Sequence, residues 1–304
     1  MTEVHLPLQD VISGRWNKNT YRILRLLGRG GIGTVYQVKD EKTGEIAALK
    51  ISQDLQSLTK EYKMLKKFQH LKCVPKVKEM DDFLFRGKFF HYIVMEYIDG
   101  ITLKAYIKRK PMDLFSAAGL ILVIGRCFQE IHKNQLAFGD LKLDNIMIDS
   151  DKRCLKIIDW GGVTPIGSSI KEFTPVYDRA SWDKGIRTAD AEYDLFSLSM
   201  LFAVLLLGRE IQPNQIPFSE FIGRLREKKI PVEWVRLIQR GLEQRNISFE
   251  MFIREFEKLY KKKAESFKIY LKDRINIAVN FIFIMSILFC IGVLSILFGK
   301  RFNF

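Results

Sequence analysis

The sequence predicts an α+β protein. A β-rich part of about 95 residues precedes an α-rich part of about 160, and a helix that crosses a membrane ends the chain. Three observations carry this. Residues 21–51 alternate in strand fashion in runs cut by glycine-rich or Lys-Thr-Gly turns, the period of half-buried strands. From Pro111 onward apolar residues recur at helical spacing instead. Ile277–Phe298 runs 22 residues without a charge. As a helix it is ~33 Å long, enough to cross the hydrocarbon core of a bilayer.

Taken in order, 21–27, 35–40 and 45–51 form a three-strand meander. Leu55, Leu58, Tyr62, Leu65 and Phe68 lie on one face of an amphipathic helix. Residues 77–85 and 89–96 flank Arg86-Gly87-Lys88 as a hairpin. Helices follow over 113–135, 193–207, 219–228, 232–242 and 249–263, interrupted by short strands near 146–148 and 155–158. The apolar run Leu195–Leu207 is too short to span a bilayer and reads as a core helix.

Composition narrows the function classes. The chain has 304 residues, 47% of them hydrophobic, so it is long enough and apolar enough for a sizeable core. Its four cysteines are far apart with no C-x-x-C pair, which supports neither a disulfide framework nor a zinc site and fits a reducing compartment. The net charge is +14. Residues 254–274 hold eight Lys/Arg against four acids, and Lys300-Arg301 add two, which leaves +8 on 1–253. Basic residues crowd the N-terminal side of the apolar span and place that side in the cytoplasm, the C-terminus outside. The basic stretch suits anionic lipid as well as it suits ordinary topology. No motif points to nucleic acid, and the acidic N-terminus is no signal peptide.

Several motifs carry chemistry. Leu27–Val35 holds Gly28, Gly30 and Gly33 as G-x-G-x-x-G after a strand, and the β-branched Thr34 and Val35 continue as a strand rather than opening a helix. Lys50 ends an apolar strand, and Glu61 stands beside the buried stripe of the next helix. A half-buried carboxylate needs a cation, and Lys50 can serve. Ala137–Asn145 (AFGDLKLDN) spaces Asp140, Lys142 and Asn145 as D-x-K-x-x-N. An acid there can accept a hydroxyl proton, a lysine can offset charge on a phosphoryl group, and an amide oxygen can bind Mg²⁺. Fourteen residues on, Asp159-Trp160-Gly161 ends another strand in a carboxylate.

In this order the residues resemble a eukaryotic-type (Hanks-type) Ser/Thr protein kinase of the membrane-anchored bacterial kind, over roughly residues 20–260. The resemblance implies a bilobal protein-kinase fold: a β-rich N-lobe with one helix over 20–97 and an α-rich C-lobe over 98–260. Around these stand an N-terminal extension (1–19), a basic juxtamembrane segment (261–275), the transmembrane helix (276–298) and a short tail (299–304). It implies ATP, with Mg²⁺ or Mn²⁺, and protein substrates carrying Ser or Thr. Asp140, Lys142, Lys50 and Glu61 take the catalytic positions, and Asn145 and Asp159 those of metal ligands. Leu27, Gly28, Gly30, Gly33, Val35, Ala48, Lys50, Glu96, Ile98 and Met147 surround the nucleotide. Met95 falls at the gatekeeper position. Thr174 stands where such kinases bond the catalytic acid and lysine, and Asp194 is the structural acid of the following helix. The alternative is a membrane-anchored pseudokinase acting as an ATP-binding or scaffold module. A small-molecule kinase is a third reading. Lys50, Glu61, Asp140, Asn145 and Asp159 are all kept, which favours activity.

Four departures stand out. Ile32 occupies the glycine-loop tip. Phe138 and Gly139 replace the usual His-Arg before the acid. Ala180-Ser181-Trp182 stands where A-P-E belongs, without its glutamate. The segment after Gly241-Leu242 is too short for that glutamate's arginine partner. Phe138 is expected to pack near Trp160. Without an arginine at 139 to meet a phosphate, the site is expected to order without phosphorylation of the activation segment.

Overall fold

The computed structural model describes residues 5–31, 33–150 and 154–265. The chain divides into two compact units, 1–256 and 257–304.

In the first unit, alternating burial along the early strands builds a six-stranded antiparallel sheet. Its strands are β1 (Val11–Ser13), β2 (Thr20–Arg29), β3 (Thr34–Asp40), β4 (Ile46–Ser52), β5 (Val77–Phe85) and β6 (Lys88–Glu96), in the order β1-β2-β3-β4-β6-β5. Tyr21, Ile23, Val38, Leu49, Tyr92 and Val94 form its core. Helix α1 (Leu55–Phe68) lies between β4 and β5 in sequence. Asp54 caps it, accepting from the Ser57 amide at 3.0 Å, and Leu58, Glu61, Leu65 and Phe68 share its buried face. Within the expected N-terminal extension, Leu6 is buried and Val11–Ser13 form β1. Asp81 fixes the turn between β1 and β2 by accepting the amides of Trp16 (3.0 Å) and Asn17 (2.7 Å).

The α-rich part begins with β7 (Gly100–Thr102), α2 (Leu103–Ile107) and α3 (Leu114–Lys133). Next come β8 (Leu136–Ala137), β9 (Ile146–Asp149), β10 (Cys154–Ile157) and β11 (Thr164–Pro165). Helices α4 (Ala191–Leu207), α5 (Phe218–Glu227), α6 (Val232–Glu243) and the helical residues 249–256 complete it. Strands β10, β9 and β7 pair in that order, and β11 pairs with β8. Helix α4 is buried on nearly every side, as an all-apolar helix must be, and packs on α3, α5 and α6. Helix α3 is, among the described residues, the one long and apolar enough to cross a membrane. Half of it is buried in this fold, against α4.

Of the second unit, 257–265 are helical, with a Lys261–Glu257 ion pair at 3.0 Å. The expected membrane span and most of the basic segment lie outside the described residues.

Candidate active site

The sheet delivers the first group of residues. Antiparallel pairing of β3 with β4 sets Val35 opposite Lys50. Pairing of β4 with β6 sets Ala48 opposite Met95. The glycine turn closes on itself, Gly30 N donating to Gly33 O at 2.9 Å. Gly33 is required there, because a Cβ would run into the Ile51 carbonyl. Gly28 and Gly30 are open on their Cβ side, and Leu27 is exposed. Ile32 lies outside the described residues.

Lys50 and Glu61 meet. The ammonium donates to Glu61 Oε2 at 2.6 Å and lies 3.6 Å from Asp159 Oδ1. Glu61 is fully buried, as a carboxylate beside the buried stripe of α1. Burial pushes its carboxyl up to about 7, against the pull of Lys50. Burial also works against the Lys50 charge, but Glu61 and Asp159 outweigh it and raise its pKa. Asp159 is the reverse case. Burial opposes its ionisation, while Lys50, the Gly161 amide and Lys142 hold its pKa below the usual range.

The loop after α3 supplies the second group. Asp194, near the start of α4, accepts the amides of Phe138 (2.7 Å) and Gly139 (3.0 Å) and a bond from His132 Nε2 (2.8 Å). That buried carboxylate fixes the backbone just before Asp140. Lys142 donates to Asp140 Oδ2 at 2.5 Å, and Asn145 Nδ2 donates to the Asp140 carbonyl at 3.2 Å. The other oxygen of Asp140, Oδ1, is buried with no partner among the described residues, so it is free to accept a hydroxyl proton. Burial raises the Asp140 pKa, with Lys142 opposing. Asn145 spends its NH₂ on Asp140, which leaves its carbonyl oxygen for a hard cation. Ile158 N donates to Asn145 O at 2.8 Å and so ties Asn145 to the strand that ends at Asp159.

Other expected positions fall into place unevenly. Ile98 and Met95 are buried, and Met147 is partly buried in β9. The Glu96 side chain accepts from Lys156 Nζ at 2.8 Å and from the Lys76 amide at 3.1 Å. Thr174 makes no hydrogen bond to Asp140 or Lys142 among the described residues, so its expected bridge is not formed here. Phe138 does pack on Trp160, edge to face at 5.6 Å. It also stacks on Phe128 at 4.9 Å, while Trp160 stacks on Phe68 of α1 at 5.6 Å.

Ion pairs and hydrogen bonds brace the segment around Ala180-Ser181-Trp182, which carries no glutamate. Arg179 pairs with Asp190 at 2.5 Å and reaches Gln244 Oε1, past α6, at 3.2 Å. Arg187 pairs with the buried Asp178 at 2.8 Å. Both pairs join residues of the segment itself. Sequence reading missed this network, and it missed Lys156, because an isolated lysine or arginine in a motif-poor stretch has no partner until the chain folds.

The protein-kinase family model, described as a protein kinase domain, matches residues 21–264. The chain belongs to the protein kinase family. It is 33% identical over 211 residues to the serine/threonine-protein kinase YabT of Bacillus subtilis, covering 68% of this chain and 61% of that protein. Identity to the serine/threonine-protein kinase PrkC of Bacillus subtilis is 29% over 230 residues, 68% of this chain and 32% of PrkC. Identity to the probable serine/threonine-protein kinase CPE1738 of Clostridium perfringens is 27% over 232 residues, 70% and 32% of the two chains. The matches span less than two thirds of each of these relatives. Membership implies ATP and a divalent cation, and protein acceptors. The two structural parts are the N-lobe and C-lobe of this kinase domain.

Proposed function

We propose that this chain is an active serine/threonine protein kinase that transfers the γ-phosphate of Mg-ATP to protein hydroxyls. One observation carries the reading: Lys50, Glu61, Asp159, Asp140, Lys142 and Asn145 stand in one connected arrangement, with Asp140 Oδ1 left free. Nucleotide and metal supply the electrophilic phosphoryl group. Lys50, held by Glu61, would orient the α- and β-phosphates, while Asn145 and Asp159 would hold the cation. Asp140 orients the acceptor hydroxyl and takes its proton through Oδ1, and Lys142 offsets charge that grows on the moving phosphoryl group. Similarity to relatives named as serine/threonine kinases and the D-L-K-x-x-N form support serine and threonine as acceptors.

We further propose that residues 276–298 anchor the kinase in a membrane, with the kinase domain cytoplasmic and the C-terminus outside. The uncharged run and the basic residues before it support this. The basic segment then lies at an anionic lipid surface.

The test of activity uses the full chain in detergent with Mg-ATP labelled at the γ-phosphate and a basic protein acceptor. Wild type labels itself or the acceptor. Asp140→Asn and Lys50→Ala each lose at least about 100-fold in rate, and Asp140→Asn still binds a non-hydrolysable ATP analogue. Equal silence of all three, with nucleotide still bound, establishes the pseudokinase alternative instead.

A further inference from the structure

Lys60 stands immediately before Glu61 on α1. Its ammonium donates to the Gly161 carbonyl at 2.9 Å and to Thr164 Oγ1 at 3.3 Å. The Thr164 hydroxyl donates in turn to Gly162 O at 2.8 Å. Two adjacent residues of one helix therefore grip the Asp159-Trp160-Gly161 turn at both ends: Glu61 through Lys50 to Asp159, and Lys60 directly to Gly161. Between the two grips, Phe68 of the same helix stacks on the Trp160 ring. No carboxylate lies within ion-pair distance of Lys60 among the described residues. Its partners are neutral oxygens, and partial burial lowers its pKa, with Glu172 opposing and Lys171 reinforcing. Lys60 is exposed, so what ties its ammonium to the turn is the pair of bonds it makes across the lobes to Gly161 and Thr164. Movement of α1 away from the C-lobe would break the Lys60, Glu61 and Phe68 contacts together.

We propose that Lys60 is a positioning residue that latches α1 and the Asp159-Trp160-Gly161 turn in their nucleotide-competent arrangement. The latch does the work that an arginine at position 139 and a phosphate cannot do here, since that position is Gly139. The inference rests on the kinase reading for its kinetic consequence, but not for its structural one.

The experiment compares full-length wild type, Lys60→Met and Lys60→Arg in detergent. Trp160 emission is isolated by subtracting the spectrum of the same protein carrying Trp160→Phe. Lys60→Met keeps the aliphatic stem and removes the donor. It raises KM for ATP by about 3- to 10-fold while kcat at saturation stays within about twofold, because ATP pulls the latched state back. Without nucleotide its Trp160 emission moves to the red as the ring leaves its buried stack, and a non-hydrolysable ATP analogue with Mg²⁺ reverses the move. Lys60→Arg keeps wild-type KM and emission. The proposal is overturned by an unshifted Trp160 emission in Lys60→Met. It is overturned equally by Lys60→Arg being as impaired as Lys60→Met, or by a shift that nucleotide does not reverse. If wild type transfers no phosphate the kinase reading fails, and the emission arm still decides for or against the latch.

Discussion

Glu61 has no exposed surface and a single strong partner, Lys50 at 2.6 Å. Its carboxyl, ordinarily at 4.5, is pushed up to about 7. Between those values the folded chain holds a proton on Glu61 that the unfolded chain has released. This contribution to stability is full below about 4.5 and is lost as pH rises through about 7. Nucleotide binding runs the other way, because the pair with Lys50 needs an ionised Glu61. We therefore expect kcat/KM for ATP to rise between pH 6 and 8. In urea unfolding at pH 5 and 7.5, wild type should lose about 2 kcal/mol more than Glu61→Gln over that interval. Asp159, lowered, stays ionised over this interval, and Asp140, raised, titrates in both proteins. A slope unchanged by Glu61→Gln would show that Glu61 is ionised throughout. The partnership of Lys50 and Glu61 was legible in the sequence, since a carboxylate beside a buried stripe requires a cation. That of Lys156 with Glu96 was not, because nothing in a four-residue strand says which face a lysine takes.

The activation segment shows the same contrast one level up. Gly139 adopts a φ of +79°, a left-handed conformation that glycine enters without strain. A Cβ there would stand 3.1 Å from Gly162 O and 3.8 Å from the Ile170 side chain. Ile170 is buried in a cluster with Ala137, Ala189 and Tyr193. Backbone bonds continue the hold: Gly167 N to Ala189 O at 2.8 Å, Ala189 N to Ser168 O at 2.8 Å and Ile170 N to Arg187 O at 3.0 Å. An apolar clasp and a short ladder thus lie where an arginine and a phosphate would otherwise meet. They support the proposal that the site orders without phosphorylation of this segment. Replacing Thr164, Ser168 and Ser169 together by alanine should leave kcat within about threefold, since only the weaker of Lys60's two bonds is lost. A collapse of activity would restore the phosphate-dependent view. Glycine at 139 announced the lost arginine in the sequence. The clasp did not announce itself, because Ala137, Ile170 and Ala189 are far apart in the chain and carry no motif.

For the whole molecule, the net charge of +14 and the uncharged run 277–298 make one prediction together. The full chain should stay with membranes through alkaline carbonate extraction, and a chain ending at Lys263 should be released into the soluble fraction. Release of the full chain would remove the membrane anchor from the proposal. Period and spacing by themselves determined the order of strands and helices, the buried character of α4, and the run of glycines, Lys50, Glu61, Asp140, Asn145 and Asp159. These are local properties, fixed by repeat lengths of two or 3.6 residues and by side-chain chemistry at short range. Tertiary structure alone decided that residues 5–13 join the N-lobe, that Arg179 pairs with Asp190, and that Lys60 reaches Gly161. Each depends on groups far apart in sequence meeting across a fold. A single lysine, arginine or isoleucine has no partner to declare until burial and hydrogen bonding select one.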